Sequence, residues 1–161
     1  MFLKTFIHTQ SDLINQISTK LARKNETLSI AESCTGGFLS SCFTSFSGAS
    51  KFFIGSVVAY DTLMKTSILK INENKIKKFG VVSEEIVVLM AKNIRKLNKS
   101  SWGVATTGYA DLIPGKKKSH AWIAVSCSNY TYSKCIYFDK KREENIQLIA
   151  LEVLKILRKE L

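Results

Sequence analysis

Ile30-Ala31-Glu32-Ser33-Cys34-Thr35-Gly36-Gly37 is the stretch whose reading decides the fold. An apolar run ends there in hydroxyl-bearing residues and two glycines, and a new periodic segment follows. This predicts a strand running into a helix. Such a junction leaves backbone N–H groups without intrahelical partners and turns the positive end of the helix dipole toward whatever lies in front. Ser33 would stand at the carboxyl end of a strand, where open α/β sheets place their sites, and glycines let a ligand approach the backbone. Taken by itself, the stretch reads first as an ordinary Ser or Thr N-cap with a glycine turn.

Outward from that junction, strands and helices alternate. Upstream, Leu13, Ile14, Ile17, Leu21 and Ala22 predict an amphipathic first helix over about 11–23, followed by a strand over 27–31. Downstream, a helix over about 36–45 leads through the turn Ser47-Gly48-Ala49-Ser50 to a strand over 52–60. A short helix capped by Asp61 or Thr62 follows, with Lys65 about one turn beyond Tyr60. After a polar connection over 72–80, Ser83-Glu84-Glu85 opens a strong helix, and a strand over 102–106 ends in Thr107-Gly108. A loop over 109–119 leads to a hairpin of strands over 121–127 and 132–138, and a last helix over about 142–159 is expected to bury Ile146, Ile149, Ala150, Val153, Leu154 and Leu157. Alternation first and a hairpin later predicts a three-layer α/β/α sandwich with a mixed, mostly parallel sheet, in one domain spanning residues 1–161.

Composition narrows the class. The chain has 161 residues, 45% of them hydrophobic, with 24 Lys and Arg against 13 Asp and Glu for a net charge of +11. Charge of that size raises the question of nucleic acid, but the lysines are dispersed and the arginines are only Arg23, Arg95, Arg142 and Arg158, so a solvated basic surface is the better reading and a nucleic-acid partner is not expected. The one compact run is Lys116-Lys117-Lys118, suited to a phosphate-bearing small molecule. Cys34, Cys42, Cys127 and Cys135 show no C-x-x-C spacing and the histidines are only His8 and His120, so no metal site is expected. Without a secretory signal pattern the thiols read as reduced and the chain as cytoplasmic, although Cys127 and Cys135 could face each other on the hairpin. No apolar run is long enough to span a membrane, and no membrane partner is expected.

Ser33, Tyr60, Lys65 and Thr107 each fall at or just past a predicted strand end. If those ends share one sheet edge, four polar groups converge on a cleft. A serine nucleophile needs a base, and with no histidine in these positions the base would be lysine or tyrosine. Lys65 could serve once burial or a neighbouring cation makes it partly neutral. Singly, each residue has a plainer reading: Lys65 a solvated helix residue, Tyr60 a strand-end aromatic, Thr107 a β residue, Asp61 a cap. Arg142 is oddly placed at the start of a helix, where its fork could hold a phosphate or carboxylate instead.

Together, Ala31-Glu32-Ser33-Cys34-Thr35-Gly36-Gly37, Gly48-Ala49-Ser50, the Tyr60 to Lys65 spacing, Gly80-Val81-Val82-Ser83-Glu84-Glu85 and Thr107-Gly108 resemble the CinA C-terminal domain family, from about residue 9 to the C-terminus. The resemblance implies a three-layer fold and a nicotinamide-nucleotide amidase of pyridine nucleotide salvage. Such an enzyme converts nicotinamide mononucleotide to nicotinate mononucleotide and ammonia with no cofactor or metal. Members are also described as competence or damage-inducible proteins, and a homo-oligomer is plausible by the same resemblance. Carried over by position, Ser33 is the nucleophile and Lys65 with Tyr60 its base, which of the two being left open. Backbone N–H groups around Thr35, Gly36 and Gly37 would hold the oxyanion or phosphate, Thr107 and Gly108 would line the site, and Arg142 would contact the nucleotide. Family members usually continue Thr-Gly into a loop rich in glycine and proline. This chain has Thr107-Gly108-Tyr109-Ala110-Asp111-Leu112-Ile113-Pro114-Gly115 instead. Either the loop binds the nucleotide differently, with Lys116 to Lys118 compensating, or the chain binds a nucleotide or protein partner without turnover.

Overall fold

The computed structural model describes residues 2–112, 114–115 and 117–161, so Lys116 of the lysine run lies outside the described residues. The elements are α1 (Phe2–Thr9), α2 (Ser11–Arg23), β1 (Leu28–Glu32), α3 (Phe38–Thr44), β2 (Phe53–Val58), α4 (Thr62–Ser67), α5 (Glu73–Phe79), α6 (Glu84–Leu97), β3 (Trp102–Gly108), β4 (Ser119–Ser126), β5 (Thr131–Phe138) and α7 (Arg142–Glu160). The five strands form one sheet in the order β2-β1-β3-β4-β5. β1 pairs in parallel with both β2 and β3, while β4 runs antiparallel between β3 and β5. This is the mixed sheet expected from early alternation and a late hairpin.

Helices cover both faces. Residues alternate sides along a strand, so Ile30 and Val104 join a core with α1, α2, α3 and α7, whereas Ala31, Ala105 and Ala124 join a second core with α5 and α6. The second face is built of small residues, and α6 sits close to the sheet as a result. A Cβ on Gly103 would lie 2.2 Å from the Ala91 carbonyl oxygen and 2.7 Å from Arg95 Cβ. β1 is buried at all five positions, as a central strand of a covered sheet must be.

The register sets the edge that matters. Glu32 lies opposite Val58 on one side and Thr106 on the other, so Ser33 and Ala59-Tyr60 leave the sheet beside Thr107, which is still paired to β4. β4 begins at the same edge, where Gly108 faces Ala121. Gly108 has a packing reason to lack a side chain: a Cβ there would stand 2.4 Å from Ala121 Cβ.

Several sequence expectations shift. Residues 2–9 form a helix the periodicity did not suggest, held by Phe6, whose ring meets Phe38 edge-on at 5.1 Å between centroids. The expected strand over 52–60 is shorter, and the helix after the glycines starts at Phe38 because Gly36 and Gly37 have φ of +58° and +97°. Along α7 Ile149, Ala150, Val153, Leu154 and Leu157 are buried as expected, but in the first turn the buried residue is Asn145 and Ile146 is only partly buried. Cys135 faces Trp122 across the hairpin, so it does not face Cys127, and all four cysteines are free. Among the described residues no helix is long and apolar enough to cross a membrane.

Gly103→Ala is expected to destabilise the fold by about 2–3 kcal/mol, because backbone rather than a movable side chain blocks the added methyl. Urea unfolding of the variant beside the native protein measures it.

Candidate active site

Glu32 builds the turn that presents Ser33. It is fully buried, and its carboxylate accepts hydrogen bonds from the N–H groups of Gly37 (3.0 Å), Leu39 (3.1 Å) and Ser40 (2.8 Å) and from Ser40 Oγ (2.5 Å). The orphan donors at the start of α3 are thus met by the last residue of β1. The Gly36 N–H donates to the Ser33 carbonyl and that of Phe38 to the Thr35 carbonyl, while Thr35 Oγ1 lies 2.8 Å from Thr106 Oγ1. Ser33 itself continues the β1–β3 ladder, its N–H donating to the Thr106 carbonyl at 3.1 Å.

Lys65 comes to the same point from α4, whose first turn is capped by Asp61 accepting from the Leu63 N–H at 2.7 Å. Only 2% of Lys65 is exposed. Its Nζ lies 3.1 Å from Ser33 Oγ, 2.6 Å from the Ala59 carbonyl and 3.2 Å from the Tyr60 carbonyl. Burial holds its pKa below that of an ordinary lysine, against smaller opposing effects of Cys34 and Asp61. A neutral amine has two hydrogens and one lone pair. In that form the two carbonyls would take the hydrogens, and the lone pair would face the Ser33 hydroxyl 3.1 Å away. Cys34, the neighbouring nucleophile by type, is a poor rival: burial pushes its thiol up to about 12, so it stays protonated near neutrality.

Ser33, Cys34, Tyr60, Lys65, Thr107, Gly108 and Arg142 line one cavity of about 420 Å³. Val81 and Val82 form a wall, tied down by Thr107 Oγ1, which donates to the Val81 carbonyl at 2.8 Å. That wall enters α6 through Ser83, whose Oγ accepts from the Ile86 N–H at 3.4 Å. The loop after β3 supplies Tyr109, Ala110, Asp111, Leu112 and Pro114 to the lining. Asn145 Nδ2 fastens that loop, donating to the Ala110 carbonyl at 2.7 Å.

Two sequence expectations land elsewhere. Thr35, Gly36 and Gly37 are not among the lining residues, and the N–H of Gly37 is committed to Glu32. Tyr60 is 60% exposed at the rim, where its hydroxyl accepts from Arg142 Nη2 at 3.0 Å, and the part of Tyr60 that meets Lys65 is its backbone carbonyl. Arg142 also pairs with Asp111, Nη1 to Oδ2 at 2.6 Å. Glu32 and Asn145 carried no sequence expectation, although a glutamate inside an apolar run is the sort of misfit that marks a buried, fully bonded carboxylate.

Comparison with known proteins agrees with the motifs. A family model for the CinA C-terminal domain matches residues 10–161. The chain belongs to the CinA C-terminal domain family. A CinA-like protein of Prochlorococcus marinus strain MIT 9312 is 38% identical over 83% of this chain, and one of Cytophaga hutchinsonii is 38% identical over 88%. The chain spans about a third of the length of these curated relatives, the matches covering 33% and 34% of them. Among solved structures, a CinA superfamily protein of Escherichia coli superposes with a TM-score of 0.87 at 25% identity, covering 92% of this chain and 88% of that one. A competence damage-inducible protein A of Klebsiella pneumoniae, at 23% identity, shares the fold with a TM-score of 0.87 over 92% of this chain and 94% of its own.

Glu32→Gln is expected to cost about 2 kcal/mol, since the amide loses the charge and sets an NH2 group against donors. Equilibrium denaturation of that variant beside the native protein reads the loss.

Proposed function

We propose that this CinA-family chain is a serine amidohydrolase converting nicotinamide mononucleotide to nicotinate mononucleotide and ammonia. The observation carrying the proposal is the 3.1 Å approach of Lys65 Nζ to Ser33 Oγ with two carbonyls taking up the other amine directions. The substrate comes from the family resemblance, and the chemistry suits it. A cationic pyridinium draws electrons from its carboxamide, which makes that carbon more electrophilic.

In the proposed reaction, Ser33 Oγ attacks the carboxamide carbon while Lys65 Nζ takes the hydroxyl proton. The tetrahedral oxyanion sits near the N–H of Cys34, the turn donor that belongs to a lining residue and is not committed to the Glu32 carboxylate or to the Ser33 or Thr35 carbonyls. Such a donor supplies about 3 kcal/mol when aimed at the developing charge. Lys65 returns its proton to the departing amide nitrogen, which leaves as ammonia. Water then attacks the acyl ester while Lys65 takes its proton; Lys65 passes that proton to the departing Ser33 Oγ, and the acid leaves as carboxylate, its remaining proton going to solvent. Tyr60 acts at the rim through its ring and Arg142 contact, and Lys65 is the base.

The exposed Arg142–Asp111 pair favours a second reading, a member that binds a ligand without turnover, because an acid occupies the guanidinium that would meet a phosphate. Ammonia release from nicotinamide mononucleotide by the purified chain decides between them. Turnover is expected from the native protein and a loss of about a thousandfold or more from Ser33→Ala. Lys65→Arg should be as inactive, since a guanidinium does not give up its proton. Turnover surviving Ser33→Ala would overturn the nucleophile assignment.

The pH dependence has a definite sign. The neutral amine is the active form, so kcat/KM should rise with pH through the Lys65 pKa, with its midpoint below the ordinary lysine value of 10.5. A pH–rate profile that is flat or falls over that range would exclude Lys65 as the base.

A further inference from the structure

Among the described residues lining the cavity, two are basic, Lys65 and Arg142. Lys65 is engaged with Ser33 and two carbonyls at the chemical end of the cavity. Arg142 is therefore the lining cation at the rim, and it is engaged as well. Nη1 contacts Asp111 Oδ2 at 2.6 Å and Nη2 donates to the Tyr60 hydroxyl at 3.0 Å.

Asp111 does not swing freely into that position. On its N-terminal side the Ala110 carbonyl accepts from buried Asn145 and the Tyr109 carbonyl from Ser119 Oγ at 2.6 Å, while the Tyr109 N–H donates to the His120 carbonyl at 3.0 Å. The backbone that carries Asp111 is thus pinned to α7 and β4. That backbone keeps the Asp111 carboxylate within reach of Arg142.

We infer that Asp111 is a specificity-determining residue that competes with a ligand's phosphate for Arg142, so that the chain discriminates little between a phosphorylated pyridinium carboxamide and its nucleoside. Only the choice of ligand rests on the amidase reading; the competition rests on the contacts of Arg142. The pair is open to solvent, Arg142 at 42% and Asp111 at 66% side-chain exposure, so its own strength is small. A phosphate can displace the carboxylate, but it then sits near a negative charge that the pinned loop keeps at the rim. Tyr60 and Tyr109, both with exposed rings in the lining, offer aromatic faces to a flat cation whether or not it bears a phosphate.

Calorimetric titration of nicotinamide mononucleotide and nicotinamide riboside into the Ser33→Ala protein, where turnover does not intervene, tests the inference. With Asp111 present the two dissociation constants should lie within about threefold of each other. In the Ser33→Ala/Asp111→Asn protein the preference for the nucleotide should rise about tenfold, the size expected from removing one like charge at partly screened rim distance. Asp111→Glu, which keeps the charge, should leave the preference near that of Asp111. A preference unmoved by Asp111→Asn, a nucleotide bound about a hundredfold tighter with Asp111 in place, or binding of neither ligand would each overturn the inference. The amidase reading fails separately. If the native protein releases no ammonia from either compound while Asp111→Asn still shifts the binding preference, the competition stands and the catalytic assignment falls.

Discussion

A carboxylate with no access to water holds the site in place. Glu32 ends the central strand and takes four hydrogen bonds from the start of the following helix, so strand and helix are fastened across the turn between them. Burying a negative charge is costly unless its oxygens are fully engaged, and here the unpaired N–H groups of a helix terminus do that. One arrangement settles two liabilities, a charge without solvent and a helix start without acceptors. Ser33 is exposed to the cavity by a backbone that has little freedom to turn it elsewhere.

The second element of the site is the isolation of Lys65. In water a lysine keeps its proton to high pH, and a protonated amine cannot accept one from serine. α4 is only six residues long, yet it carries Lys65 inward beneath a capped first turn and seats the amine on two carbonyls that follow β2. The same carbonyls orient the nitrogen, so removal from water and direction toward Ser33 come from one packing arrangement.

Much of this was legible in the sequence because the strand ends carry it. The Ser33 junction, the Tyr60 to Lys65 spacing and Thr107-Gly108 all sit where periodic segments stop, and parallel pairing brings those stops together. What escaped notice was set by contacts distant in the chain. Gly36 and Gly37 signal a turn, but which acceptor their helix start finds depends on a glutamate whose burial no local pattern records. The phenol of Tyr60 looked suited to Ser33, but Arg142, 82 residues later, holds it at the rim. Asn145 broke the apolar spacing of the last helix because its partners are the Ala110 and Lys140 carbonyls of two loops. The reading failed least where geometry follows from period and register, and most where a side chain answers to tertiary partners.

The small residues under α6 reach further than their own packing. Ala31, Gly103, Ala105 and Ala124 let that helix settle against the sheet, and the Val81–Val82 wall enters the helix through Ser83 while being tied to β3 by Thr107. The distance across the mouth of the cavity is therefore gauged by methyl groups absent from the opposite end of the strand. In that sense Gly103, which lies outside the cavity lining, acts as a shim: its thickness, which is none, sets how closely α6 and the valine wall that enters it stand against the sheet.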